Sequence, residues 1–284
     1  MVKCLVCGKE FENGLGPEIC PKCLGDKESE DKQPVIPEEY EAHYAGTFGE
    51  CDYDTRMFKV VHDFNITFLR YKCDCELQPY VPEGYNSCYG MFMNCKLPVG
   101  FTLGEKFDTS HVTDMRAMFR GCEIPEGFSL GKKFDTSNVT SMVTMFAYCK
   151  IPEGFSLGDK FDTSSVEDMQ FMFAGCNLPE GFTLGEKFDT SNVTDMSGMF
   201  THCKIPEGFS LGDKFDTSNV KYMNGIFYDC KIPEGFYLGE KFHTSDVTNV
   251  YMMFHDCELP RGISNELDAL EIIEMLKDKN YDSR

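Results

Sequence analysis

A repeat of 27 residues is the feature that most restricts the folds open to this chain. Its marker is a phenylalanine that recurs at this period: Phe107, Phe134, Phe161, Phe188, Phe215 and Phe242. Most copies read Phe-Asp-Thr-Ser, and a degenerate copy begins at Tyr80. A unit of this length cannot bury an apolar face alone, so the repeat predicts coils stacked along one axis, a solenoid.

The unit that begins at Phe188 shows the predicted layout of a coil. Apolar residues spaced by three to four predict a one-faced helix of about two turns: Val193, Met196, Met199 and Phe200. Residues 209–211, Phe-Ser-Leu, alternate as a short strand does. We therefore predict an α/β repeat solenoid whose coils each contain one short strand and one short helix, with the strands in a parallel sheet.

The run Phe-Asp-Thr-Ser-Asn-Val-Thr-Asp-Met-Ser-Gly-Met-Phe from Phe188 to Phe200, followed by Cys203, resembles the BspA-type leucine-rich repeats of bacterial and some protist proteins. The resemblance recurs over nearly two thirds of the chain. It implies a leucine-rich-repeat-like solenoid that binds other macromolecules. Many members of that family are secreted or surface-anchored, so a bacterial surface adhesin is a weaker alternative.

Two Cys-x-x-Cys pairs near the start predict one structural zinc site with four thiolate ligands: Cys4, Cys7, Cys20 and Cys23. This segment resembles a zinc ribbon. With all four ligands supplied by protein, the metal has no open position for a substrate, so the site is structural. Two disulfides and an iron site of the rubredoxin type are the alternatives.

The chain divides into five predicted parts. Residues 1–24 form the zinc ribbon, 25–46 an acidic linker, 47–106 an N-terminal cap with the degenerate first coil, 107–262 the solenoid, and 263–284 a C-terminal capping helix. The cap includes a strand at residues 64–68, and the helix has an apolar face made by Leu267, Leu270, Ile273 and Leu276. A second metal site is an alternative for four further cysteines: Cys51, Cys73, Cys75 and Cys88.

Acidic residues dominate the surface, and the formal charge of −20 disfavours direct contact with nucleic acid or anionic membranes. One acidic column follows the marker phenylalanine: Asp108, Asp135, Asp162, Asp189 and Asp216. These carboxylates are expected to accept hydrogen bonds within their own turns. A ladder of calcium ions and an acidic strip that faces a partner are the alternatives.

The last two coils gain polar aromatic residues, which are favoured as interface anchors: Tyr222, Tyr228, Tyr237, Tyr251 and His255. They are candidate partner contacts, and packing under the C-terminal cap is the alternative. The column of cysteines from Cys95 to Cys257 is interpreted as an inward row of small apolar side chains.

No nucleophile elbow, phosphate loop or HExxH motif is present in the sequence, so an enzyme is not expected. The sequence favours a cytoplasmic protein-protein interaction module that presents its acidic surface to a partner protein with a basic surface. The alternative is an acidic inhibitor of phage or mobile-element type, for example anti-defence or anti-CRISPR, that occupies a nucleic-acid-binding cleft. The odd count of 15 cysteines and the absence of an apolar leader favour the cytoplasm.

Overall fold

The computed structural model describes residues 2–3, 10–11, 59–63, 66–70, 81, 86–105, 107–264, 267 and 269–278. Strand β1 (Val2–Lys3) pairs antiparallel with β2 (Glu10–Phe11), and β3 (Lys59–Asp63) pairs antiparallel with β4 (Ile66–Arg70). One helix, α1 (Ala269–Lys277), follows the repeats. The described part of the strand predicted at residues 64–68 lies in β4, which extends to Arg70.

Several predictions lie outside the described residues. They are the four proposed zinc ligands, the linker at residues 25–46, most of the N-terminal cap and residues 279–284. The division of the chain into five parts stays a prediction there.

Successive repeats lie side by side in a constant register. We number the units 1 to 6 from the marker phenylalanines Phe107, Phe134, Phe161, Phe188, Phe215 and Phe242, and count positions from each of them. Parallel β-bridges join position 8 of one unit to position 8 of the next, as between Asp168 and Asp195. A second row joins position 17, as between Lys204 and Lys231.

Positions 8 to 17, here called the turn ribbon, carry most of the hydrogen bonds between units. In unit 4, four alternate N–H groups donate to carbonyls of unit 5 at 2.7 to 2.9 Å: those of Met196, Gly198, Phe200 and His202. The N–H groups between them close turns onto the carbonyl three residues earlier, at 3.0 to 3.1 Å: those of Met199, Thr201 and Cys203. The N–H groups at positions 9, 11, 13 and 15 therefore all point from one unit to the next, whereas the N–H group at position 17 points back, as that of Lys204 does to the Cys176 carbonyl at 3.2 Å.

The predicted two-turn helix is not formed in these units. An α-helix bonds each N–H to the carbonyl four residues earlier. In the turn ribbon, by contrast, half of the N–H groups bond to the carbonyl three residues earlier, and the alternate ones bond to another unit. Positions 11 and 15 also have positive φ, +62° at Gly198 and +56° at His202, which a right-handed helix excludes. The apolar spacing is nevertheless satisfied, because Met196, Met199 and Phe200 are buried in the ribbon and Val193 is buried just before it.

The predicted parallel sheet at positions 22 to 24 is also wrong. Phe209 and Leu211 are buried and Ser210 is exposed, as the alternation predicts. However, no backbone hydrogen bond joins residues 209–211 to the units on either side, which the structure describes in full here. The alternation of residues 209–211 therefore reflects side-chain burial only. The backbone pairing between units lies in the turn ribbon.

Columns of phenylalanine at positions 1, 13 and 22 fill the interior. The rings of Phe173 and Phe200 stack with centroids 5.7 Å apart, and those of Phe182 and Phe209 stack at 6.4 Å. The columns also contact each other edge to face, as Phe173 does with Phe182 at 5.9 Å. The core thus runs continuously through the array.

Polar ladders reinforce this stacking. The buried hydroxyl of Thr163 accepts the N–H of Asp189 and donates to the carbonyl of the same residue, both at 2.8 Å. The Asn192 amide donates to the Ser164 carbonyl of the preceding unit at 2.7 Å. Equivalent bonds recur in other units, so each unit is bonded to both of its neighbours.

The helix α1 packs on the last units. It begins at Ala269, later than the predicted start at residue 263. Its buried residues are Ile272, Ile273 and Leu276, whereas Leu270, predicted to face the array, is 53% exposed. The Leu238 N–H donates to the Leu276 carbonyl at 3.1 Å, which ties the helix to unit 5. The stacking of units is what a solenoid requires, and membership of the leucine-rich-repeat fold class stays a prediction.

Candidate functional site

The predicted acidic column occupies position 2 of units 1 to 5: Asp108, Asp135, Asp162, Asp189 and Asp216. Each carboxylate accepts the N–H of the serine two residues later, at 2.9 to 3.1 Å. In the first three units the serine hydroxyl donates as well, at 2.6 to 2.7 Å. These bonds agree with the interpretation of the column as part of the turns, and a contact with a partner stays a prediction.

The hydrogen bonds help to lower the pKa of four carboxyls of this column: Asp108, Asp135, Asp162 and Asp216. Bonds from Ser110 hold the pKa of Asp108 below its ordinary value of 3.8. Burial alone would raise the pKa of Asp135, Asp162 and Asp216, but hydrogen bonds from the neighbouring serines and the charges of nearby lysines together outweigh burial, and the pKa of each falls. The charged form is thus stabilised by the fold.

Asp168 and Asp195 form a different acidic pair at position 8, where a parallel bridge makes them neighbours. Gln170 donates its N–H and its amide to Asp168 at 3.1 to 3.2 Å, and the Ser197 N–H donates to Asp195 at 2.8 Å. Burial raises the pKa of Asp168, and the charge of Asp195 adds to that rise. No lysine or arginine of the described residues makes an ion pair with either carboxylate.

Large apolar side chains that reach solvent concentrate on one side of the array. We call this side the ribbon face, formed by the outward side chains at positions 8, 10, 11, 14, 15 and 17. It holds five of the seven exposed large apolar side chains found in the described residues: Tyr148, Phe171, Tyr222, Tyr251 and Met252. The interior columns carry similar residues in successive units, whereas the residue types on the ribbon face differ from one unit to the next.

Tyr148 and Phe171 hold a backbone conformation that bulky residues rarely adopt, with φ of +59° and +55°. This left-handed region costs a residue with a Cβ atom about 1–2 kcal/mol. A Cβ placed on Gly175 would lie 2.4 Å from the Tyr148 ring, and one on Gly198 would lie 2.2 Å from the Phe171 ring. Each ring therefore lies over a glycine of the following unit, which makes room for it.

Four of the predicted aromatic contacts also lie on the ribbon face: Tyr222, Tyr228, Tyr251 and His255. The Tyr228 ring stacks on His255 at 5.8 Å, and a hydrogen bond to Asp256 raises the pKa of Tyr228. Tyr222 and Tyr251 are 51% and 68% exposed, so they do not pack under α1. Tyr237 lies apart from this group, at position 23 between the buried Phe236 and Leu238.

All eight described cysteines are buried. Those in units 2 to 6 donate to a phenylalanine carbonyl of the preceding unit, as Cys176 does to Phe146 at 3.0 Å, and burial raises the pKa of Cys176 to about 12. Cys88 is fully buried at position 9, where units 1 to 5 carry methionine. The other three cysteines of the alternative second metal site, Cys51, Cys73 and Cys75, lie outside the described residues, so that site stays a prediction.

The parts of the chain that the structure describes contain no group of three or more His, Cys, Asp or Glu residues suited to a metal ion. The calcium alternative for the acidic column therefore has no support in this region. The proposed zinc ligands Cys4, Cys7, Cys20 and Cys23 lie outside it.

A family model described as "Mycoplasma protein of unknown function, DUF285" matches residues 86–180 and again residues 153–265. The two matches together span residues 86–265, more than half of the chain. The chain belongs to the DUF285 family. DUF285 is associated with BspA-like repeat proteins, in agreement with the resemblance of the repeat. No curated protein and no solved structure matches this chain.

None of the helices described in this DUF285 protein is long and apolar enough to cross a membrane. Sequence reasoning missed Tyr148, Phe171, Asp168 and Asp195 as candidate site residues. A signal for the two rings is nevertheless present in the sequence: each is followed by glycine at the same position of the next unit, Gly175 and Gly198.

Proposed function

We propose that this DUF285 protein is a leucine-rich-repeat-like solenoid that acts as a non-enzymatic protein-binding module and contacts its partner through the ribbon face. The concentration of exposed aromatic and apolar side chains on that face is the observation that carries the proposal. Such side chains are favoured anchors in protein interfaces. The formal charge of −20 favours a partner with a basic surface.

The chemistry of the array supports a role without catalysis. Its thiols are buried, and burial raises the pKa of Cys176 to about 12 and that of Cys257 to about 11, which suppresses the reactive thiolate. The aspartates at position 2 are engaged in their own turns. The thiols of units 2 to 6 form no disulfide, which suits a reducing compartment, and we propose a cytoplasmic location. A structural zinc ion at Cys4, Cys7, Cys20 and Cys23 is proposed from their spacing.

An acidic inhibitor of a nucleic-acid-binding protein is the second candidate, and a column of exposed glutamates favours it. Position 20 carries this column in units 1 to 5: Glu126, Glu153, Glu180, Glu207 and Glu234. Within the described residues, Glu234 alone among them has an ion-pair partner, Arg261 at 3.9 Å. This column, rather than the engaged aspartates, would then imitate a row of phosphates.

Affinity capture with the full chain at low and high salt tests the two candidates. The wild type is compared with Tyr222→Ser/Tyr251→Ser and with Glu153→Gln/Glu180→Gln/Glu207→Gln. A partner of the ribbon face stays bound at high salt and is lost with the tyrosine variant. A target of an acidic inhibitor dissociates at high salt and with the glutamine variant. A chain that captures no protein specifically at either salt concentration contradicts both candidates.

A further inference from the structure

Phe171 is an exposed ring that the backbone does not require. It is 40% exposed although its φ of +55° disfavours a bulky side chain. Position 11 has positive φ in every unit: units 4 and 5 carry Gly198 and Gly225 there, and units 1, 2 and 6 carry Ala117, Thr144 and Met252. Phe171 is the one aromatic residue at this position, so the turn does not require a ring, and a ring exposed in this disfavoured conformation points to a role beyond folding.

The array places arginines over other rings of the same face. The Arg116 guanidinium carbon lies 5.4 Å from the centroid of the Tyr89 ring, and that of Arg120 lies 5.9 Å from the centroid of the Tyr148 ring. Phe171 has no such cation from the described residues. Its exposed ring is therefore open to a cation supplied by another molecule.

Two carboxylates accompany this ring. Asp168 stands three residues before Phe171, and Asp195 stands three residues before Gly198, over which the ring lies. Their like charges are neighbours across the bridge and repel each other. An arginine suits this arrangement well, because its planar guanidinium stacks on a ring and bonds carboxylates with the same group.

We propose that Phe171, Asp168 and Asp195 receive an arginine or lysine side chain of a partner protein, and that a neighbouring apolar residue of the partner packs on Tyr148. This inference deepens the proposed function and rests on it. It places the contact in units 2 to 4 and specifies the partner segment as basic and apolar. Arg120 lies over the Tyr148 ring, so the apolar residue, and not a second cation, belongs on that side.

Selection from a display library of random peptides, about twelve residues long, tests the inference with the full chain as bait. Two variants serve as counter-baits, Tyr148→Gly/Phe171→Gly and Asp168→Asn/Asp195→Asn. Glycine is the natural residue at the corresponding positions of the next units, and the asparagine variant leaves the backbone unchanged. Thermal melting of each variant checks that it is folded.

The enriched peptides are expected to share an arginine or lysine beside an aromatic or aliphatic residue. Their affinity, measured with a synthetic peptide, should fall at least about tenfold in both variants, which corresponds to about 1.4 kcal/mol. Val99→Ser is the control, because this side chain is 90% exposed and lies outside the ribbon face, and it should bind the peptides as the wild type does.

Enriched peptides that lack a cation, or that bind both variants with unchanged affinity, overturn the inference. Peptides that lose binding only with the Tyr222→Ser/Tyr251→Ser variant also overturn it, but they leave the ribbon face as a binding surface. A library with no enrichment on the wild type over the glycine variant overturns it too, and the capture experiment then decides the proposed function separately.

Discussion

Two aspartates of unit 3, Asp162 and Asp168, lie in opposite environments, although the sequence gives no sign of the difference. Asp162 accepts the N–H and the hydroxyl of Ser164, so its pKa is lowered. Asp168 is half-buried beside Asp195, so its pKa is raised. The first carboxylate stabilises the folded state at neutral pH, and the second destabilises it.

Replacing each aspartate by asparagine should change stability in opposite directions. At about pH 7, Asp162→Asn should lower the melting temperature and Asp168→Asn should raise it, as measured by circular dichroism. The stabilisation by Asp162 is present above the ordinary pKa of 3.8 and is lost as pH falls through its lower folded value. The penalty at Asp168 disappears as pH falls through its raised value. Both differences should therefore shrink towards about pH 2, and changes of the same sign at neutral pH contradict this account.

The glycine beneath the Phe171 ring provides a second test. Gly198→Ala and Gly181→Ala both place a methyl group at positive φ, but the space around Gly181 is open. Gly181→Ala should cost about 1 kcal/mol of unfolding free energy, and Gly198→Ala clearly more because its methyl group meets the ring. Adding Phe171→Ala should reduce the cost at Gly198 to that at Gly181. Urea denaturation measures this, and equal costs for the two single variants would show that the ring does not lie over Gly198.

Sequence reasoning at this scale predicted burial well and conformation poorly. The cysteine column and the phenylalanines at positions 1 and 22 lie inside, as predicted, because apolar side chains that recur in every unit belong to the stacked core. Phe171 was missed because its exposure depends on the positive φ of position 11, which the identity of a single residue does not reveal; only the glycine at that position of the next unit indicates it.

At the scale of the element, the turn ribbon replaces the predicted helix because both satisfy the same apolar spacing. Overlapping turns place apolar residues three apart, as a helix does approximately. The glycines at positions 11 and 15 are the signal that separates the two: Gly90, Gly121, Gly175, Gly198 and Gly225. Glycine destabilises a helix interior by about 1 kcal/mol, and its recurrence there indicates positive φ.

The threonine ladder should contribute strongly to the stability of the stack. Thr163→Val removes the hydroxyl that bonds both the N–H and the carbonyl of Asp189, and leaves these groups without partners. We expect a loss of about 2–4 kcal/mol of unfolding free energy. The exposed Thr183→Val is the matched control and should stay within about 0.5 kcal/mol of the wild type. A comparable loss in both variants, measured in urea, contradicts a special role for the ladder.

The phenylalanine columns predict a large effect of truncation. Phe182 is 3% exposed and lies between the rings of Phe173 and Phe209. Phe182→Ala should cost about 3–5 kcal/mol through the lost burial and the cavity that remains. Melting like that of the wild type would show that position 22 is not part of the core.

At the scale of the whole molecule, the repeat period predicted the register between units, because identical units stack most easily on themselves. The ends were harder to predict. The helix α1 begins six residues after its predicted start, at Ala269, and buries Ile272 where Leu270 was expected. End segments meet a single, irregular surface, so periodicity gives no guide to them.

Removal of metal should unfold the N-terminal segment that contains the cysteine pairs and leave the array folded. A chelator is expected to extract about one zinc ion per chain and to unfold residues 1–24, since metal binding drives the folding of such small segments. The repeats should keep their melting temperature, because no metal-ligating group lies among their described residues. Metal analysis and calorimetry measure the two effects. The variant Cys4→Ser/Cys7→Ser is the control, and simultaneous loss of both regions contradicts their independence.

The N–H groups at positions 9, 11, 13 and 15 all point the same way along the array, and this direction restricts its symmetry. In unit 6 these groups have no acceptor within the described part of the chain: those of Val250, Met252, Phe254 and Asp256. A two-fold axis through these four groups would set donors against donors, so two copies cannot pair through them as equals. Only a row of carbonyls complements them, which makes an association through these groups polar, with a leading and a trailing molecule.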